Sequence, residues 1–241
     1  MYMKRISTRH LPLLFLACAC AGWLACNRVK DTVLPHTELI FPNEAGHTRI
    51  SEVHDTTFTT AGIANPQTIA YYKRERLGRT ETDLQGREVR LVEVSRSPLI
   101  RPYDFAPDRI WYQYFAPQTG ANYYAERIEE NRRTLVLRFP VTTVTRWNGN
   151  LYNALGTEIF SYGALDTTVT VKGQTFENCV MVIQKLDTTG FIIQEFAYEI
   201  YAPGIGLIKK YDKTLVFDQP DGDGFNPDAS RIYLEEYIGE E

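Results

Sequence analysis

The chain has 241 residues, 44% of them hydrophobic, with 26 basic and 30 acidic side chains and a formal net charge of −4. That length is ample for one sizeable hydrophobic core. The acidic balance argues against nucleic acid as a partner and against electrostatic attachment to anionic lipid.

The first ten residues carry Lys4, Arg5 and Arg9 and no acid, and an apolar run, LPLLFLACACAGWLA, follows from Leu11 to Ala25. A basic start, a short apolar stretch and small residues before a cut are the layout of a secretory signal. The run is shorter than the roughly 20 apolar residues of a membrane-spanning helix. Cys18, Cys20 and Cys26 each follow an alanine, but only Cys26 leaves a full apolar core behind it and a polar stretch, NRVKDT, ahead. Residues 1–25 are therefore read as a signal peptide and Cys26 as the lipid-bearing first residue of the mature chain, although Trp23 and Leu24 depart from the usual lipobox residues. Lipidation converts a spanning reading into an anchored one, since a diacylglyceryl group plus an N-acyl chain (palmitate or similar) holds a protein stably at a bilayer. Asn27, where an Asp would retain the protein at the inner membrane in enteric bacteria, points to the outer membrane. The absence of an acidic cluster after the anchor points to the periplasmic side.

Maturation changes the arithmetic. Removing Lys4, Arg5 and Arg9 leaves 23 basic residues against 30 acidic, a net of −7, and Cys179 becomes the sole free thiol. No intramolecular disulfide is then available, despite an oxidising compartment. Cys179 lies in the apolar stretch CVMVI and is expected to be a buried, inert thiol.

Residues 26–37 read as a lipidated tether, polar, with one proline and no periodicity, and residues 38–241 as a single β-rich domain. Runs rich in Val, Ile, Thr, Tyr and Phe predict strands near Thr48–Thr60, Thr68–Thr80, Glu88–Arg96, Ile110–Phe115, Asn122–Ile128 and Thr134–Pro140. Further runs lie near Glu158–Tyr162, Thr167–Val171, Asn178–Leu186, Phe191–Tyr201, Leu207–Phe217 and Arg231–Ile238. Short links at Asp83–Gly86, Glu129–Arg132 and Asp187–Gly190 suit antiparallel neighbours, since parallel strands need long crossovers. The stretch ANYYAERIEENRR is compatible with a helix but alternates as a strand. The predicted class is all-β and mainly antiparallel, with few helices, either a curved half-barrel or a two-sheet sandwich.

The densest local signature is WNGNLYN, in which Trp147, Asn148, Gly149, Asn150, Tyr152 and Asn153 form either a ligand-lining loop or a packed structural turn. The fifteen tyrosines, with pairs at Tyr71–Tyr72 and Tyr123–Tyr124, suit a ligand platform or simply half-buried strand positions. Gly204 and Gly206, after Pro203, permit a chain reversal and read as a structural hairpin. In DQPDGDGFNPD, Asp221 and Asp223 have the alternate spacing of a calcium loop, but Phe225 occupies the third ligand position and Ile232 the twelfth. A solvated hairpin tip is the better reading and no metal is expected. Of the mature histidines, His36, His47 and His54, none has zinc-site spacing, and no Gly-x-Ser-x-Gly elbow is present. Glu126, Glu129 and Glu130 read as a charged hairpin. No catalytic residue and no cofactor is expected.

WNGN, with FPV at Phe139–Val141 and EIYAPGIGLIKK at Glu199–Lys210, resembles an uncharacterised family of lipoproteins from Gram-negative bacteria, which pairs such a turn with a Tyr-Ala-x-Gly-x-Gly-Leu hairpin. The resemblance spans most of Phe41–Tyr237. A more distant similarity is to the half-barrels of the periplasmic lipoprotein carrier and its outer-membrane receptor, although no plug helices are evident here. The expected role is a non-enzymatic, lipid-anchored envelope protein that binds an apolar ligand or an envelope partner on a β-surface. The alternatives are an assembly accessory of an outer-membrane complex and a hydrolase built from dispersed residues.

Overall fold

A computed structural model describes residues 40–59, 62–116, 123–218 and 224–240, all within one compact unit spanning 32–241. In chain order its strands are β1 (Thr48–Thr59), β2 (Gly62–Thr82), β3 (Glu88–Pro98), β4 (Ala106–Phe115), β5 (Tyr124–Glu129), β6 (Arg132–Arg138) and β7 (Arg146–Asn148). They continue as β8 (Ile159–Tyr162), β9 (Thr167–Val171), β10 (Gln174–Asp187), β11 (Ile193–Ala202), β12 (Gly206–Phe217) and β13 (Phe225–Gly239). Every pairing is antiparallel, in the spatial order β6-β5-β4-β3-β2-β1-β13-β12-β11-β10-β8-β7. The fold is all-β, and the half-barrel expectation holds against the sandwich. The sheet curls until its two terminal strands meet.

Backbone and side-chain bonds make that seam. The Leu135 N–H donates to Gly149 O at 2.9 Å, the Trp147 indole N–H to Leu135 O at 2.8 Å, and the Asn153 amide to Arg133 O at 2.8 Å. Contacts across the lumen confirm the closure. Arg127 on β5 reaches Glu199 on β11 at 3.5 Å, although several strands separate them along the sheet.

The β10 strand is longer than its neighbours. Its second half pairs β11, while its first half hairpins with β9 through a left-handed Lys172-Gly173 turn. That hairpin packs on the outer face of the sheet, burying Val171, Cys179, Ile200, Ala202, Ile208 and Tyr237. Cys179 is a free thiol inside this cluster, and burial pushes it above its ordinary pKa.

One end of the barrel is filled by apolar side chains. Ile40 and Phe41 join Tyr123, Leu137, Phe139, Val141, Trp147, Phe160 and Leu207 in the largest core cluster. The Ile40–Pro42 segment is held there because the Gln113 amide donates to Pro42 O at 2.7 Å. Gly206 makes room for it: at φ +87° it tolerates the left-handed backbone, and a side-chain carbon there would sit 3.0 Å from Pro42 Cδ.

Two boundaries differ from the sequence expectation. Trp147 and Asn148 belong to a strand, β7, and the turn begins only at Gly149. The acidic loop was expected to run to Asp228, yet β13 begins at Phe225, where Phe217↔Phe225 pairing and the Phe58–Phe225 and Phe217–Phe225 ring contacts extend the sheet. Local Asn-Pro chemistry is overridden by aromatic burial.

Candidate functional site

Above the apolar end, the inward positions of the strands are charged. Alternation places Arg49 on β1, Lys73 and Glu75 on β2, Arg127 on β5, Glu199 on β11, Lys210 on β12 and Glu235 on β13 in one layer across the lumen. Lys73 Nζ lies 2.5 Å from Glu235 and 2.9 Å from Glu75, and Arg49 contacts Glu75 at 2.5 Å and Glu235 at 3.4 Å. The Arg49 guanidinium also donates to Leu207 O at 2.6 Å. Glu199 Oε1 faces Lys210 at 3.0 Å and Arg127 at 3.5 Å, and its other oxygen accepts the Tyr201 hydroxyl.

The electrostatics follow from burial set against pairing. Burial by itself would raise Glu199, but Lys210 and Arg127 beside it hold its carboxyl at about 2. Burial likewise works against the charge of Glu75 and Glu235, and the Arg49 and Lys73 cations keep both below the usual carboxylate range. The Tyr201 and Tyr233 hydroxyls are pushed up, first by burial and then by Glu199 and Glu235 respectively. The three carboxylates of the layer are thus ionised throughout the neutral range.

Beyond it the lumen opens into a cavity of ≈ 540 Å³. Its lining combines the basic residues Lys73, Arg96, Arg109, Arg127, Arg132, Lys185, Lys210 and Arg231 with the acids Asp108, Glu129, Glu195, Asp212 and Glu235, and with Tyr71, Trp111 and Tyr233. A side lobe of ≈ 170 Å³ runs toward the seam beside Asn150, Glu158 and Gln184. At the rim two cations share one acid, Arg96 at 2.8 Å and Arg109 at 2.9 Å from Asp108. The buried indole N–H of Trp111 has no hydrogen-bond partner among the described residues.

The signature WNGNLYN lies at the seam, next to this lobe. Trp147 is buried, Asn148 Oδ1 accepts the N–H groups of Asn150 and Glu158, each at 3.0 Å, and the Asn150 amide donates to Gly156 O at 3.0 Å. The Asn153 amide also donates to Asn150 Oδ1 at 3.0 Å. A side-chain carbon at Gly149 would overlap the Phe160 ring. Tyr152 is partly exposed, stacked under the Arg133 guanidinium at 4.5 Å. The Asn148 and Asn150 amides are engaged within the β7–β8 loop, and only the Asn153 amide, through Arg133 O, reaches β6. Gly204 and Gly206, both at positive φ, turn β11 into β12 at the sealed end.

The three acids near the β5–β6 turn part company. Glu126 is fully buried outside the lumen and accepts a bidentate pair from Arg133 at 2.8 and 3.0 Å, with Arg87 at 3.2 Å. Glu129 faces the lumen and pairs with Arg132 at 3.2 Å, while Glu130 takes the left-handed turn position. His47 is bonded to Ile205 O and His54 to Glu52. Among the described residues no group of His, Cys, Asp and Glu is arranged to hold a metal, and no helix is long and apolar enough to cross a membrane. Cys26, His36, Asp221 and Asp223 lie outside the described residues.

No known protein-family model matches the chain, and no characterised protein matches it significantly.

Proposed function

We propose that the mature chain is a cell-envelope lipoprotein, anchored in the outer membrane through Cys26 and facing the periplasm, that holds a small polar ligand in the lumen of its barrel without transforming it. The observation that carries this reading is the ≈ 540 Å³ cavity with its ionic lining. Ligand sites typically occupy about 300–1,000 Å³. An apolar ligand, the sequence-based expectation, would strand those charges without water, at a cost of several kcal/mol per unpaired ion. A polar ligand replaces the water bonds it displaces.

An assembly accessory remains the second reading, on one observation. Leu186, Phe191, Ile192 and Ile193 cluster at the β10–β11 hairpin with exposures of 67, 74, 48 and 44%, an apolar patch of the kind partners cover.

Two experiments test the proposal. Cys26→Ser should abolish lipid labelling and membrane fractionation, and labelling that survives would refute the anchor. Thermal melts of the lipidated protein in detergent, with galactose, galacturonate, glutamate, spermidine and palmitate added in turn, should show a saturable rise with at least one polar solute and none with palmitate. Stabilisation by palmitate alone, or by nothing in the set, would count against a polar receptacle.

A further inference from the structure

The charged layer that floors the cavity is short of one negative charge. Its cations are Arg49, Lys73, Arg127 and Lys210, and its carboxylates are Glu75, Glu199 and Glu235. Arg49 and Lys73 are matched against Glu75 and Glu235, two against two. Arg127 and Lys210 share Glu199, and both lean on the same oxygen, Oε1. The second oxygen of Glu199 is taken by the Tyr201 hydroxyl. Among the described residues, Arg127 therefore has a single polar contact, at 3.5 Å, for a guanidinium with five N–H donors. Its side chain is only 12% exposed.

Other nearby acids make no direct contact with Arg127 or Lys210. Glu129 pairs with Arg132 at 3.2 Å and acts on Arg127 and Lys210 only through space. Asp212, two residues from Lys210 on the same face, makes no direct ion pair among the described residues and acts electrostatically on Lys185 and Arg231. Buried cations with spare donors and too few counter-charges are the standing condition for binding an anion, and a planar guanidinium beside an ammonium matches a carboxylate.

Resting on the receptacle reading above, we infer that Arg127 and Lys210 form the seat for the carboxylate of a hydroxylated monoanionic ligand, of the sugar-acid class. The charge balance selects the group. One carboxylate neutralises the layer, whereas a phosphate, at −1.5 to −2, would over-neutralise it by roughly as much as the present deficit. The rest of the cavity suits hydroxyl groups. Asp212 is an uncommitted acceptor, and the Trp111, Tyr71 and Tyr233 rings line the same space with Lys73, Arg96 and Arg231 beside them. Such alternation of aromatic surface and polar groups fits a sugar ring.

Calorimetric titration of the full lipidated protein in detergent tests this with three probes: D-galacturonate, D-galactose and inorganic phosphate. Galacturonate should bind about tenfold or more tightly than galactose, the factor a charge-assisted bond supplies, and more tightly than phosphate. Arg127→Gln should erase the preference for the acid. Glu199→Gln should move it the other way, since removing the shared carboxylate enlarges the deficit, and this opposite sign separates a seat from general damage. Equal binding of galacturonate and galactose, tighter binding of phosphate, or a preference that survives Arg127→Gln would overturn the assignment. If none of the three binds while another polar solute stabilises the protein, the seat is wrong and the receptacle stands. If no polar solute binds at all, both fall.

Discussion

Replacing Glu199 by Gln isolates the electrostatic term that holds the floor of the lumen together. The carboxyl is fully buried, and Lys210 and Arg127 bring it from 4.5 to about 2 against the opposing effect of burial. At about 1.4 kcal/mol per pH unit, that difference corresponds to about 3 kcal/mol of stability at pH 7. The folded-state value is the lower one, so the contribution is complete above the unfolded value and fades as pH falls toward the folded one. At pH 3 it is reduced to about 1.4 kcal/mol. Gln keeps the shape and the bond to Tyr201 but not the charge, and it leaves Arg127 and Lys210 facing each other. Denaturant melts of parent and variant at pH 7 and pH 3 should therefore show a gap of about 3 kcal/mol that shrinks by more than half in acid. A gap of the same size at both pH values would show that the loss is one of packing. No gap at pH 7 would show that the ion pairs contribute nothing net, as happens for some buried pairs.

Further outcomes follow from the seam and the core. Gly149→Ala should destabilise the fold by about 1–3 kcal/mol in a denaturant melt, because the added methyl meets the Phe160 ring. Gly156→Ala in the same loop, where nothing lies within 4 Å, should be nearly neutral. Trp147→Ala removes a buried indole and one of the seam bonds and should cost about 3–5 kcal/mol. In an Ellman assay on the mature protein, Cys179 should react only when denaturant unfolds the chain, since it is buried and its thiol is pushed up. Reaction at the rate of a free thiol in the native state would place it wrongly.

Much of the fold was legible because strand chemistry is local. The Val, Ile, Thr and Tyr runs and the turns at Asp83–Gly86 and Glu129–Arg132 mark antiparallel hairpins without help from the rest of the chain. Closure was not legible, because it depends on β6 meeting β7, a three-residue strand that reads as part of a turn. The site was missed for a related reason. Lys73, Glu75, Arg127, Glu199 and Lys210 each look like the solvent face of a strand, and only the curled sheet turns that face inward. A signal was present in Lys73-Arg74-Glu75-Arg76, which is charged on both faces, so β2 had no fully apolar side to give a sandwich core. The WNGN signature is structural instead: its amides close the β7–β8 loop, which Asn153 ties to β6.

The lumen as a receptacle for a polar ligand is tested most directly by Trp111, which lines the cavity, while Trp147 lies buried at the seam and Trp23 falls in the proposed leader. In mature Trp147→Phe protein, Trp111 is the sole tryptophan. Its emission should change saturably on titration with galacturonate and become shielded from acrylamide, whereas palmitate should leave both unchanged. Emission and quenching that respond to palmitate but to no polar solute would contradict a charged, ligand-holding lumen.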